Sequence, residues 1–181
     1  MGIDRERCAL VLVDYQVRLL PAIAEAEAVL RQALFLAAVA RELAVPVLAT
    51  EQNPQGLGPN DERVRAACDE TLAKRHFDAA RDGLAAALTS RGRVQVVVAG
   101  CEAHVCLMQT ALGLQDARFE VFVVPEACGS RRASDKAAAM QRLAERGIAR
   151  LSAEMVAFEW LRSCDHPAFA RVLKLVKAMP V

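Results

Sequence analysis

Three side chains of different chemical types lie in or after strand-like segments and could together carry out acyl transfer. Asp14 follows the apolar run CALVLV, Lys74 lies in the segment ETLAKRHF, and Cys106 comes shortly after the run VQVVVAGC. A thiolate is a strong nucleophile, a carboxylate can take the thiol proton and deliver it to a leaving amine, and a lysine can stabilise the thiolate. These roles require a fold that brings the three segments together.

Each of these side chains also has an ordinary structural explanation. A cysteine early in a helix is often packed as a small hydrophobic side chain, and a lysine on an edge strand is usually solvated. Asp14 is harder to explain in this way, because a charge directly after a buried strand needs a partner or a function. A dyad of Cys106 with His104 is disfavoured, since residues two apart on a helix point in different directions.

Alternating strand and helix patterns predict the elements that position these side chains. Continuous apolar runs indicate strands buried on both faces, and helical periodicity indicates the helices between them. The predicted strands cover residues 8–15, 45–52, 70–77, 94–101 and 119–128, with a short strand from 149. The predicted helices cover 27–44, 79–92, 104–117, 132–147, a segment ending at 161, and 165–179 with Asp165 as N-cap. This alternation predicts an α/β fold with a mostly parallel sheet of about six strands flanked by helices.

The ends of the predicted strands suggest where a site would lie. Ligands of open parallel sheets bind at the carboxyl ends of the strands, where Asp14, Glu51, Lys74 and Glu126 are expected. Cys106 would follow at the first turn of a helix. There the helix dipole and an adjacent Lys74 would lower the pKa of the thiol, and backbone N–H groups would stabilise an oxyanion.

Composition excludes several other classes of function. The chain has 181 residues, a net charge of +1 and 4% aromatic residues, so nothing favours a nucleic-acid partner. No apolar run approaches the about 18–20 residues that span a bilayer, and MGIDRER lacks the apolar region of a signal peptide. The six cysteines form no C-x-x-C pair and the three histidines are scattered. We therefore expect a cytoplasmic protein with reduced thiols, no membrane partner and no metal or cofactor.

Three segments together resemble a known family. LVLVDYQVRLLPAI, LAKRHFDA and VVVAGCEAHVCLMQTALGLQDARFEVFVVPEACGSR are similar, in order, to the motifs of the isochorismatase-like (cysteine hydrolase) superfamily. That superfamily includes nicotinamidases, N-carbamoylsarcosine amidase and isochorismatases. TEQNPQGLG and DHPAFARVLKLVK look most like its isochorismatase domain-containing, YcaC-like branch.

The resemblance implies a three-layer, doubly wound Rossmann-like fold in a single hydrolase domain over residues 1–181. It implies a catalytic triad of Asp14, Lys74 and Cys106, and a cis peptide between Cys101 and Glu102. The backbone N–H groups of Glu102 and Cys106 would then form an oxyanion hole. Family members are usually oligomers, so the resemblance also implies a homo-oligomer acting on a small molecule.

Departures from the family narrow this expectation. The metal-binding nicotinamidases carry histidines after the second strand, and TEQNPQGLGPNDERV has none, so a metal is not expected and nicotinamidase activity is in doubt. True isochorismatases have Gly where Cys106 stands, so the thiol favours chemistry through a thioester. We expect hydrolysis of a small amide or ureido C–N bond. Hydrolysis of an ether or ester, and a non-enzymatic role of the thiol in packing, redox chemistry or assembly, remain alternatives.

Polar residues near the predicted strand ends are candidates for a substrate pocket. They are Gln16, Glu51, Asn53 and His104. Each of them is also explained as a polar loop residue. The segment SRR at 130–132 could hold a substrate carboxylate, or could be a solvated loop or a subunit contact.

Overall fold

A six-stranded parallel sheet forms the centre of the molecule. The computed structural model describes residues 2–180. The strands are β1 (Cys8–Val13), β2 (Val47–Gln52), β3 (Glu70–Lys74), β4 (Gln95–Gly100), β5 (Glu120–Val123) and β6 (Ala149–Arg150). Their order is β3-β2-β1-β4-β5-β6, and every neighbouring pair is parallel. The prediction of an α/β fold with about six strands is confirmed, and the sheet is entirely rather than mostly parallel.

Helices cover both faces of the sheet. Within residues 2–180 they are α1 (Ala26–Glu42), α2 (Pro54–Leu57), α3 (Glu62–Ala67), α4 (Leu84–Ser90), α5 (Met108–Asp116), α6 (Ala133–Glu145), α7 (Ala153–Leu161) and α8 (Phe169–Ala178). Leu10 and Leu12 of β1 pack in one apolar cluster with α1, α7 and α8. Val11 and Val13 pack in a second cluster with α4, α5 and α6. Because successive strand residues face opposite sides, one apolar strand supplies both cores of this three-layer fold.

The strand order reverses between β1 and β4, which are neighbours in the sheet but are separated by β2 and β3 in the chain. Such a switch point leaves a crevice at the carboxyl ends of the two strands, where ligands bind in open α/β sheets. Asp14 follows β1, and the segment leading to Cys106 follows β4. The topology therefore brings these two side chains to the same crevice.

Among the predicted boundaries that differ from the structure, two differ for reasons that involve proline. β5 ends at Val123, and Glu126 lies in a 3-10 turn that starts at Pro125. The Glu126 carboxylate accepts a hydrogen bond from the Ala153 N–H at 3.0 Å, so it supports the start of α7 instead of the candidate site. The last helix begins at Phe169, not near Asp165. Pro167 disfavours helical geometry at the residue before it, which delays the helix.

None of the helices between residues 2 and 180 is both long enough and apolar enough to cross a membrane.

Candidate active site

Asp14 and Lys74 form a buried ion pair at the carboxyl edge of the sheet. Asp14 Oδ2 lies 2.8 Å from Lys74 Nζ, and the two side chains are 0% and 1% exposed. Asp14 Oδ1 accepts a hydrogen bond from Thr50 Oγ1 at 2.7 Å. A charge in the protein interior requires such partners, so the lysine and the hydroxyl explain how a carboxylate can follow a fully buried strand.

The backbone of Asp14 is left-handed, with φ of 55°. If β1 continued in extended form, alternation would turn Asp14 toward the face of Leu10 and Leu12. The left-handed residue breaks that alternation, and the carboxylate meets Thr50 and Lys74 instead. Aspartate tolerates this conformation better than most residues, and unusual backbone angles of this kind concentrate at functional sites.

Lys74 is the last residue of β3, and its ammonium has two short contacts. Nζ lies 2.8 Å from Asp14 Oδ2 and donates to Gln52 Oε1 at 2.7 Å. Its contacts with the carbonyl oxygens of Phe77 and His76 are longer, at 3.4 and 3.5 Å. The two short contacts determine where this buried positive charge lies.

Cys106 lies in a π-helical turn, Ala103–Leu107, that leads directly into α5. The helix predicted over residues 104–117 is present, but its first turn is π-helical and α5 begins at Met108. Sγ lies 4.0 Å from Gln52 Oε1, and the residue is 6% exposed. The thiol therefore faces the same amide oxygen that anchors the Lys74 ammonium.

The expected lowering of the thiol pKa is not found. The pKa of Cys106 is raised to about 12: burial is the largest cause, the negative charge of Asp14 also raises it, and the positive charge of Lys74 offsets only part of this effect. The sequence argument counted the lysine and the helix dipole but could not include the loss of water around the sulfur. At neutral pH the thiol is protonated, so reaction at this sulfur requires a group that accepts its proton.

The path from β4 to the π-helical turn is unusually tight. The peptide bond between Cys101 and Glu102 is cis. Gly100 precedes this bond by one residue and has a φ of +156°. A Cβ atom added to Gly100 would lie 2.3 Å from the backbone oxygen of Val13. Only glycine allows β4 to approach the end of β1 so closely.

Replacing Gly100 by Ala is expected to lower the free energy of unfolding by about 1–3 kcal/mol, because the added methyl group overlaps the Val13 backbone. Urea unfolding measures this change. Gly83→Ala is the matched control, since Gly83 also has positive φ (+102°) but has no atom within 4 Å of the added Cβ. If the two variants lose equal stability, backbone conformation and not the contact with Val13 explains the effect.

Gln16, predicted as a pocket residue, has its side-chain amide hydrogen-bonded within the protein. Its Nε2 donates to the carbonyl oxygens of Gln52 and Gly58 at 3.0 and 2.6 Å. Its Oε1 accepts from the Gln52 N–H at 2.9 Å. The side chain is fully buried and holds the end of β2 in place. The structure thus favours a supporting role for Gln16.

The other predicted pocket residues lie in different surroundings. Glu51 accepts a hydrogen bond from the Asn60 N–H at 2.8 Å. Asn53 Oδ1 accepts from the Arg75 guanidinium at 2.5 Å and lines a cavity of about 210 Å³ that Lys74 also lines. His104 Nδ1 lies 3.0 Å from Ser130 Oγ. Among these three, Asn53 alone borders a cavity shared with a member of the proposed triad.

Gln52 is the site residue that sequence reasoning missed. Its Oε1 contacts Lys74 Nζ and faces Cys106 Sγ, and its Nε2 donates to the Arg75 carbonyl at 2.9 Å. Strand parity separates it from Glu51, but the packing of the sheet decides which face of β2 meets Lys74 and Cys106. Thr50 and Gln52 are two apart on β2 and share a face, whereas Glu51 points to the opposite one.

Arg131 of the SRR segment pairs with Glu102, next to the cis peptide. Its Nε donates to Glu102 Oε1 at 2.9 Å, while the arginine side chain remains 62% exposed. A substrate carboxylate would have to compete with the Glu102 carboxylate for Arg131, whereas the exposed arginine agrees with the alternative of a solvated loop.

A large cavity lies away from these residues. It has a volume of about 700 Å³ and lies between the N-terminal segment and α7, lined by Ile3, Met155 and Phe158 among others. The chemistry-bearing side chains lie at the opposite, carboxyl edge of the sheet, and of these Lys74 also lines the smaller cavity that Asn53 borders. In residues 2–180, no group of three or more His, Cys, Asp or Glu side chains is arranged to hold a metal ion.

Comparisons with known proteins agree with this architecture. A model of the isochorismatase domain matches residues 8–155. Mouse isochorismatase domain-containing protein 2A is 33% identical over 173 residues, which cover 95% of this chain and 84% of the relative.

Two solved structures are similar over nearly the whole chain. A Caenorhabditis elegans protein named MAR1 ribonuclease has a TM-score of 0.91 and 26% identity, covering all of this chain and 98% of that one. The Escherichia coli YcaC gene product, described as an octameric hydrolase of unknown specificity, has a TM-score of 0.89 and 24% identity, covering 97% and 90%.

Proposed function

The chain belongs to the isochorismatase domain family, and we propose that it is a cysteine-dependent hydrolase of small amide or ureido compounds in the YcaC-like branch of that family. The observation that carries the proposal is the meeting of a buried Asp14–Lys74 pair and the Cys106 thiol around the amide of Gln52. An acid, a cation and a thiol in one crevice are the groups required for acyl transfer through a thioester.

In the proposed mechanism, Asp14 accepts the thiol proton as Cys106 Sγ attacks the substrate carbonyl carbon. The carbonyl electron pair moves to oxygen, and the backbone N–H groups of Glu102 and Cys106 stabilise the oxyanion. When the oxyanion collapses, the C–N bond breaks and the amine leaves with the proton from Asp14. Water then attacks the thioester, Asp14 accepts its proton, and that proton returns to the sulfur as the acid is released.

The geometry of Asp14 supports its role as the proton acceptor. Oδ2 lies 2.8 Å from Lys74 Nζ, and no other group in residues 2–180 donates a hydrogen bond to it by the usual distance and angle criteria. This oxygen therefore retains capacity for the thiol proton. Because burial raises the pKa of the Cys106 thiol to about 12, proton transfer is expected to accompany attack on the carbonyl and not to precede it.

One alternative also has an observation in its favour. Cys106 is only 6% exposed, which suits a thiol that serves packing in a non-enzymatic member of the family. A packing thiol has no need of the Asp14–Lys74 pair, whereas the proposed mechanism uses both charges.

The remaining parts of the proposal concern the setting of the enzyme. We propose that residues 1–181 act as one hydrolase domain in a cytoplasmic homo-oligomer, supported by the family and by the octameric description of the E. coli neighbour. The name of the C. elegans neighbour raises RNA as a substrate. A chain with 23 basic and 22 acidic residues lacks the positive excess typical of RNA-binding proteins, so we propose a small-molecule substrate.

The test is the rate at which iodoacetamide alkylates Cys106 at a fixed alkaline pH, read by peptide mass spectrometry. At such a pH hydroxide takes the thiol proton, so the rate follows the thiolate fraction and does not require Asp14 as the proton acceptor. Asp14→Asn is expected to raise the rate, because it removes a negative charge that opposes the thiolate. Lys74→Met is expected to lower it. Charges within about 4–6 Å shift a pKa by about 1–3 units, so each rate should change about tenfold or more.

Two other cysteines serve as internal controls. Cys164 is exposed and should react alike in all three proteins, and buried Cys8 should stay unreactive unless the fold opens. Identical Cys106 rates in wild type and both variants would contradict an assembled triad and favour the packing role.

A further inference from the structure

Gln52 is bound on its backbone and on its side chain, which gives its amide one orientation. The main-chain N–H and carbonyl of Gln52 both bond to the Gln16 amide, at 2.9 and 3.0 Å. Its Nε2 donates to the Arg75 carbonyl, and its Oε1 accepts from Lys74 Nζ. Since a carbonyl can only accept and an ammonium can only donate, these partners decide which end of the amide bears oxygen.

In this orientation the amide oxygen of Gln52, a hydrogen-bond acceptor, faces the Cys106 sulfur. Gln52 Oε1 lies 4.0 Å from Cys106 Sγ. A thiol S–H can donate toward this oxygen, but a thiolate facing it meets the negative end of the amide dipole. The same oxygen also occupies one N–H of Lys74, and that N–H would otherwise be available to a thiolate. Both contacts of this oxygen therefore favour the protonated thiol over the thiolate.

We propose that Gln52 is a positioning residue whose amide oxygen holds the Lys74 ammonium against Asp14 and favours the protonated form of Cys106 over its thiolate. The inference rests on the proposed function, since it concerns the same thiol. Its consequence is that the resting enzyme carries an S–H group, which passes its proton to Asp14 as the sulfur attacks a bound carbonyl substrate.

Few other charges bear on this thiol. Asp14 after β1 and Lys74 at the end of β3 are the charged groups that influence Cys106. On its own turn, Glu102 pairs with Arg131, and His104 contacts Ser130 Oγ and lies 3.9 Å from Asp135. A change at position 52 should therefore reach the sulfur through Lys74 and the amide oxygen.

The experiment compares Gln52→Met with Gln52→Glu, two replacements that keep the length of the side chain. The readout is the thiolate fraction of Cys106 at a fixed alkaline pH at which the protein stays folded. It is measured as ultraviolet thiolate absorbance after subtraction of the same protein with Cys106→Ala. Absorbance reports ionisation of the sulfur and not its accessibility to a reagent.

Gln52→Met is expected to raise the thiolate fraction about tenfold, because it removes the acceptor and frees a Lys74 N–H. Gln52→Glu is expected to lower it, because it adds a negative charge beside the sulfur. Gln95→Met is the matched control, since Gln95 is a buried glutamine at the amino end of β4 and should leave the fraction unchanged. A thermal melt of each variant verifies the fold.

An unchanged thiolate fraction in Gln52→Met, or shifts of the same sign in the Met and Glu variants, would overturn the inference. The measurement needs no substrate, so its outcome is separable from that of the proposed function. If the two variants shift the fraction in opposite directions while no amide is hydrolysed, Gln52 keeps its role and the hydrolase proposal fails. If Asp14→Asn alters the ionisation of Cys106 and the Gln52 variants do not, Gln52 loses its proposed role, while the contact of Asp14 with Cys106 that the hydrolase proposal requires keeps its support.

Discussion

Replacing Cys106 by Ala is expected to reduce hydrolysis of any amide or ureido substrate of this protein by about 10³-fold or more. Without the sulfur no thioester can form, and losses of this size or larger are typical when a catalytic nucleophile is removed. The measurement is ammonia or amine release from a panel of small primary amides and ureido compounds, and alcohol release from a panel of esters, with wild type and variant compared at equal concentration.

Cys8→Ala is the matched control for this experiment. Cys8 is also a buried thiol, but it lies at the amino end of β1, away from the crevice that holds Cys106. Acid quenching during turnover should leave an acyl group on the Cys106 peptide of the wild type, detectable as added mass. Substrate turnover that survives in Cys106→Ala would refute the thioester route and favour hydrolysis of an ether or ester by other groups.

Lys74→Met is expected to lower the free energy of unfolding by about 3–5 kcal/mol. The substitution leaves the Asp14 carboxylate buried beside an apolar side chain, and an uncompensated buried charge carries a penalty of this size. For a domain of this length, the loss corresponds to a decrease in Tm of roughly 6–20 °C. Urea unfolding and a thermal scan measure the two quantities independently.

The double variant Asp14→Asn with Lys74→Met isolates the interaction between the two charges. Asparagine tolerates the left-handed backbone of position 14 and can keep the hydrogen bond to Thr50. The double variant should therefore lose less stability than the two single losses added together. Arg146→Met removes an exposed ion pair with Asp116 and should cost about 0–1 kcal/mol. Strict additivity of the two single losses would mean that Asp14 and Lys74 do not stabilise each other.

The fold was accessible from the sequence because it depends on local patterns. A strand buried on both faces must be apolar at every position, and CALVLV and QVVVAG meet that requirement. Helical periodicity between such runs leaves little choice other than parallel strands joined by crossovers. The predicted strand ends placed Asp14 and Lys74 at the same edge of the sheet. In the structure, Asp14 Oδ2 lies 2.8 Å from Lys74 Nζ.

The chemistry of the site depended on contacts between distant parts of the chain. Gln52 was overlooked in favour of Glu51, because the face on which each side chain lies follows from sheet packing and helix placement. Gln16 looked like a pocket residue, but its amide is hydrogen-bonded to Gln52 and Gly58. No local pattern encodes which polar group will satisfy which other one across the fold.

The ionisation of Cys106 shows the same division. The sequence predicted that Cys106 follows a buried strand and lies near the start of a helix, and it gave the chemical type of the side chain. Its pKa could not be predicted in this way, because that quantity depends on how much water the folded chain removes from the sulfur and on the distances to Asp14 and Lys74. Residue type and periodicity are properties of the chain, whereas desolvation and charge separation arise only when segments far apart in sequence pack together.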